Sequence, residues 1–129
     1  MNKYILILPL IFHSALVGAS SNSELQTVLI DLNNKASLQR GAKIFMNNCL
    51  GCHSLKYQRY IKFINHLSLD QETIKENLIF TTDKNNKPTK IGSLILNAVN
   101  PDHSKEAFGI MPPDLTLIAR SRGPDWLYT

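Results

Sequence analysis

Hydrophobic and polar positions divide the chain into one long apolar block followed by a series of short amphipathic segments. Tyr4–Val17 is mostly apolar, stands behind Lys3, and runs into the small residues Val17-Gly18-Ala19. That layout predicts a secretory signal over residues 1–20, cleaved near Ala19 or Ser20. As a membrane anchor the run falls short of the roughly 20 residues that span a bilayer, and Pro9 and His13 interrupt it. Residues 21–36 are polar apart from Val28-Leu29-Ile30 and read as an extended N-terminal arm ahead of a domain over residues 37–129.

Beyond the arm the apolar positions take helical spacing. Ser37 is a candidate N-cap for a helix to about Asn48, with Leu38, Ala42 and Phe45 as its buried stripe. Gly41 on that helix marks either a close approach of another helix or a tolerated glycine. Ser68-Leu69-Asp70-Gln71 has capping-box form and opens a second helix to about Ile79, with Ile74 and Leu78 facing inward. Thr81–Thr89 is a turn-rich loop, and Ile91–Val99 is apolar enough to pack. Asn100-Pro101-Asp102 combines a cap, a proline at the first helical position and an acid in the first turn, and Gly109 ends that helix. Pro112-Pro113 stiffens an extended segment. Asp114 is placed to cap a short helix over Leu115–Ser121, Gly123 to end it, and Pro124 to start another.

The chemistry lies in Cys49-Leu50-Gly51-Cys52-His53, which contains the only two cysteines of the 129 residues. Two thiols one helical turn apart, with a histidine directly after the second, match covalent attachment of a c-type haem. Each thiol adds across one vinyl group, and His53 falls beneath the ring as proximal iron ligand. Competing readings of the pair are weaker. A thioredoxin-type disulfide opens the helix of a βαβ unit, and no such unit surrounds it. Structural zinc needs four ligands at finger-like spacing, which His66 and His103 do not complete. A disulfide across so short a loop would constrain little of the unfolded chain.

Composition adds little to this. The net charge of +4 is spread along the chain, without the clustered basic face that nucleic-acid binding needs. Arg59, among Tyr57, Tyr60, Lys62 and Phe63, is either a haem-propionate partner or a solvated cation. Met46 lies one turn before Cys49 and reads as core. Met111, followed by proline downstream of the haem motif, is a candidate distal ligand, and His66 and His103 are candidates for bis-histidine ligation.

Three stretches together resemble cytochrome c1, the haem subunit of the cytochrome bc1 complex. They are Ser37–Ala42 leading into Cys49–Ser54; Asn77–Lys84; and Pro112–Gly123 with Asp125-Trp126-Leu127-Tyr128. The resemblance implies an all-α cytochrome c-like domain holding one covalent haem c on Cys49 and Cys52, with His53 proximal. It also implies that Pro112 and Pro113 lie beside the haem and that Arg120 or Arg122 meets a propionate. The implied setting is the periplasmic face of a bacterial inner membrane. There the domain would take electrons from the Rieske iron–sulfur protein, beside cytochrome b, and pass them to a soluble cytochrome c. Members of the family continue past this point, through a distal methionine and a transmembrane helix. The domain is therefore expected to be incomplete at its C-terminus, and to meet the membrane through the complex rather than by an anchor of its own. Ile91–Leu96 fits the family poorly, and Met111 stands where a small or apolar residue is expected. Two other functions remain open on sequence: a free-standing periplasmic cytochrome c using Met111, and a five-coordinate haem protein that binds a small ligand.

Overall fold

A computed structural model of the chain describes residues 24–129; the signal segment and the first residues of the arm lie outside the described residues. Helices dominate. The first, α1, spans Lys35–Ile44 and runs without a break into a π-helical turn, Phe45–Cys49. Its cap is Asn34, whose side chain accepts from the Ser37 backbone N–H at 3.0 Å, so the helix starts before Ser37. Asn47 and Asn48 explain the wider turn that follows. Their carboxamides donate to the Lys43 and Ile44 carbonyls at 2.8 and 3.0 Å, competing with the next α-helical amides. The Leu50 N–H then reaches back to the Phe45 carbonyl at 3.0 Å, a π-type bond.

Strand β1, Leu55–Arg59, leaves the cysteine turn and pairs antiparallel with β2, Leu94–Ile95. This corrects the all-α expectation: the fold is mostly helical with a small two-stranded sheet. β2 is too short to show a period of two, burial along β1 does not alternate because its pairing is irregular between Leu55 and Arg59, and the two segments lie far apart in the chain. Helix α2, Lys62–Leu67, follows β1 and ends at Ser68 in the left-handed conformation, φ 54°. Ser68 therefore terminates α2, and Asp70 caps α3, Gln71–Leu78, through the Thr73 N–H at 2.9 Å. The Thr73 hydroxyl and N–H together hold the Asp70 carboxyl below the usual carboxylate range.

The core lies where α1, α2 and α3 meet the sheet. Met46, Leu50, Tyr60, Phe63, Leu67, Ile74, Leu78, Ile79 and Ile95 are buried there, and Leu38, Ala42 and Phe45 pack against them. Met46 is core, as its position suggested. Gln39 ties α1 to the end of α2 by donating to the Leu67 carbonyl at 2.8 Å. Gly41 faces open space, since a Cβ there would meet nothing within 4 Å, so it is a tolerated glycine. Between α3 and β2, Asp83 organises the loop by accepting from the Asn85 and Lys87 N–H groups at 2.8 and 3.0 Å.

Helix α4, Pro101–Phe108, has the expected Asn100 cap and ends at Gly109 in the left-handed conformation, φ 73°. The short helices α5, Ile118–Arg122, and α6, Pro124–Tyr128, flank Gly123 at φ 86°. The arm runs past α6, where the Val28 N–H donates to Asp125 and the Gln26 N–H to Thr129, both at 2.9 Å. Among the described residues no helix is long and apolar enough to cross a membrane.

Candidate haem site

The two cysteines sit where helix gives way to strand. Cys49 closes the π-helical turn and is half-buried; Cys52 is exposed, and both thiols are free. The Cys52 and His53 N–H groups both fold back to the Cys49 carbonyl, at 3.0 and 2.8 Å, which closes the residues between into one tight turn. Leu50, in the middle of that turn, is buried and anchors it to the core.

His53 is held from the far end of the chain. Its Nδ1 lies 2.8 Å from the Pro113 carbonyl, sixty residues away in sequence. A carbonyl can only accept, so Nδ1 carries the proton and Nε2 keeps its lone pair. A histidine oriented in this way presents Nε2 as a metal ligand. Pro113 meets the back of the imidazole, and a proline carbonyl serves because the ring removes only the N–H.

Three more bonds fasten this strap, residues 111–117, along β1. The Leu115 N–H donates to the Ser54 carbonyl at 2.9 Å and the Lys56 N–H to the Asp114 carboxylate at 2.7 Å. The Tyr57 N–H donates to the Thr116 hydroxyl at 3.4 Å. Asp114 also accepts from the Thr116 N–H at 3.0 Å, forming a local turn, so α5 begins at Ile118 rather than at Leu115. Partial desolvation raises the Asp114 pKa. The hydrogen bonds from Thr116 and Lys56, with the Lys56 charge, outweigh that and hold it below the usual carboxylate range.

One cleft adjoins the cysteine turn, and a second borders the first. The first, of about 370 Å³, is lined by Met46, Leu50, Gly51, Phe80, Thr81 and Ala98. The other, of about 480 Å³, shares Thr81 and Ala98 and is lined mainly by polar and charged residues, among them Arg59, Asp83, Lys84 and Asn97. Beside Thr81 stands Tyr60, fully buried; burial pushes its phenol pKa up and the Thr81 hydroxyl offsets part of that rise. Free thiols on one turn, an imidazole with its outer nitrogen available and an adjoining cleft lined by Met46, Leu50 and Phe80 fit a covalently held haem.

The remaining candidates are placed as follows. Met111 and Pro112 are half-buried in the strap. Arg59 lines the larger cleft and donates to the Gly92 carbonyl at 2.6 Å, so it is not simply a solvated cation. Arg120 and Arg122 are exposed on α5, and Arg122 lies over the Trp126 ring at 5.3 Å. His66 and His103 are exposed on α2 and α4. Sequence reasoning missed Asn97, whose side chain donates to the Cys52 carbonyl and whose N–H donates to the Ser54 hydroxyl at 2.9 Å. No motif marks it; only the strand pairing brings it to the site.

Residues 26–129 match the sequence profile described as the Cytochrome C1 family. The chain is 45% identical over 116 residues to a cytochrome c1 of Allochromatium vinosum, covering 90% of this chain and 45% of that protein. It is 37% identical over 125 residues to a protein of Nitrosomonas europaea named ammonia monooxygenase gamma subunit, covering 97% and 49%. A cytochrome c1 of Rhodospirillum rubrum is 29% identical over 110 residues, covering 74% and 40%. The chain thus spans less than half the length of each of these relatives.

Proposed function

The chain belongs to the cytochrome c1 family, and from that premise we propose that it is an electron-transfer haem protein of a quinol–cytochrome c reductase. Proteins of this family bind one covalent haem c. In this chain Cys49 and Cys52 are the attachment sites and His53 is the proximal ligand. The single observation that supports this best is the 2.8 Å bond from His53 Nδ1 to the Pro113 carbonyl. It selects the tautomer and leaves Nε2 to the iron. When bound, the haem supplies one-electron redox chemistry, and the protein tunes it through ligation, hydrogen bonding and burial.

The chain's own residues do the positioning. The π-helical turn and the buried Leu50 hold the thiols, and the strap holds the imidazole. Arg59, braced on Gly92, lines the larger cleft where a propionate would find a cation, and Arg120 and Arg122 are the alternatives carried by the resemblance. Met111 is better placed on the His53 side than as distal ligand. It precedes Pro113 by two residues, which reach at most about 7 Å even when extended. Pro113 itself stands on the Nδ1 side of the ring, away from the ligating nitrogen.

In this reading the domain is exported to the periplasmic face of the inner membrane. It takes electrons from the Rieske protein beside cytochrome b, passes them to a soluble cytochrome c, and performs no substrate turnover of its own. Rapid-mixing kinetics of the haem-loaded chain with a reduced Rieske domain, and then with oxidised soluble cytochrome c, tests this. Fast single-electron exchange with both supports the assignment. Carbon monoxide binding without exchange would favour a small-ligand haem protein instead.

A further inference from the structure

The register of the small sheet puts Asn97 opposite His53. Leu55 pairs with Ile95 in the antiparallel ladder, so two residues further out position 97 faces position 53. Asn97 is half-buried there and uses both its backbone and its side chain. Its side-chain N–H donates to the Cys52 carbonyl, immediately before His53. Its main-chain N–H donates to the Ser54 hydroxyl at 2.9 Å, immediately after. The two bonds bracket the histidine on the side of β2, while the Pro113 carbonyl holds its ring from the strap. From these contacts we infer that Asn97 is a positioning residue for the haem-attachment turn, fixing the peptide units on either side of His53 and through them the plane of its imidazole.

This role for Asn97 rests on the haem-attachment reading above and adds a residue to it. A side-chain amide suits the place because it supplies a neutral N–H donor to the Cys52 carbonyl, an acceptor that a carboxylate could not satisfy. Asn97→Asp keeps the shape but sets two acceptors against each other, and Asn97→Ala deletes the bond. In either case the turn loses its brace from β2 while the helices, the Pro113 bond and the core stay as they are. Outer partners of a metal ligand act in this way, by orientation rather than by contact with the metal.

The full chain is exported in a host equipped to attach haem c. Wild type, Asn97→Asp, Asn97→Ala and, as a control away from the clefts, Lys105→Ala on the exposed face of α4 are compared. Covalent haem per polypeptide is measured, together with the haem-methyl shifts in the ferric proton NMR spectrum, which report the plane of the axial imidazole. Both Asn97 variants are expected to accumulate, with covalent haem down by up to about tenfold. The haem that loads should show an altered methyl pattern, and Lys105→Ala should match wild type. Wild-type haem content and methyl shifts in both Asn97 variants would overturn the inference. So would a fall in haem with an unshifted pattern, a defect in Asn97→Asp alone, or failure of both variants to accumulate where Lys105→Ala does. These point respectively to a defect in handling, to charge, and to folding. A wild-type chain that takes up no haem would instead refute the reading on which the inference rests.

Discussion

At the scale of single residues the account depends on a histidine with one nitrogen committed. The Pro113 carbonyl accepts the hydrogen bond from His53 Nδ1–H, and Cys49 and Cys52 stand free on the turn before it. Cys49→Ser with Cys52→Ser should abolish haem that survives denaturation, whereas either change alone leaves one thioether to form. Met111→Leu should leave the reduced absorption spectrum unchanged; loss of a thioether–iron band would return Met111 to the distal position. Asp114 gives the strap a pH dependence. Its pKa is lowered in the fold, so its stabilisation is fully present above the ordinary Asp value of about 4 and is lost as pH falls through the lowered folded value. Denaturant titrations should therefore show wild type more stable than Asp114→Asn at pH 7, with the gap closing in acid. A gap that widens in acid would contradict this.

At the scale of elements, legibility followed the range of the interactions. The haem motif was legible because two thioethers and a ligand demand a fixed local spacing, and α3 because Ile74 and Leu78 repeat at helical period. Cap positions shifted by two or three residues. Asn34 and Asp70 do the capping beside Ser37 and Ser68, which carry the same kind of acceptor, and only the backbone path decides between them. The sheet was hidden because β2 is two residues long, and Asn97 because strand register alone gives it a role. The strap's grip on His53 crosses sixty residues, beyond the reach of any local pattern. Ile74, fully buried where α3 enters the core, tests the packing. Ile74→Ala should cost about 2–5 kcal/mol by chemical denaturation, as truncations of well-packed core residues do. Asp70→Ala should lower stability by freeing the first turn of α3, without altering any haem spectrum.

At the scale of the molecule, nine buried apolar side chains among the described residues hold together helices of five to ten residues. So small a core would gain much from a large apolar group fastened to the cysteine turn. The haem-free double cysteine variant should be digested by protease at least about tenfold faster than the loaded chain, equivalent to about 1.4 kcal/mol of local or global opening. Equal digestion rates would mean that the fold stands without the group. The most direct test of the whole account is the product exported from a cell that attaches haem c, denatured, cleaved and weighed. It should yield one haem joined through thioethers to the peptide bearing Cys49 and Cys52. A peptide of unmodified mass, with both thiols open to alkylation, would contradict it.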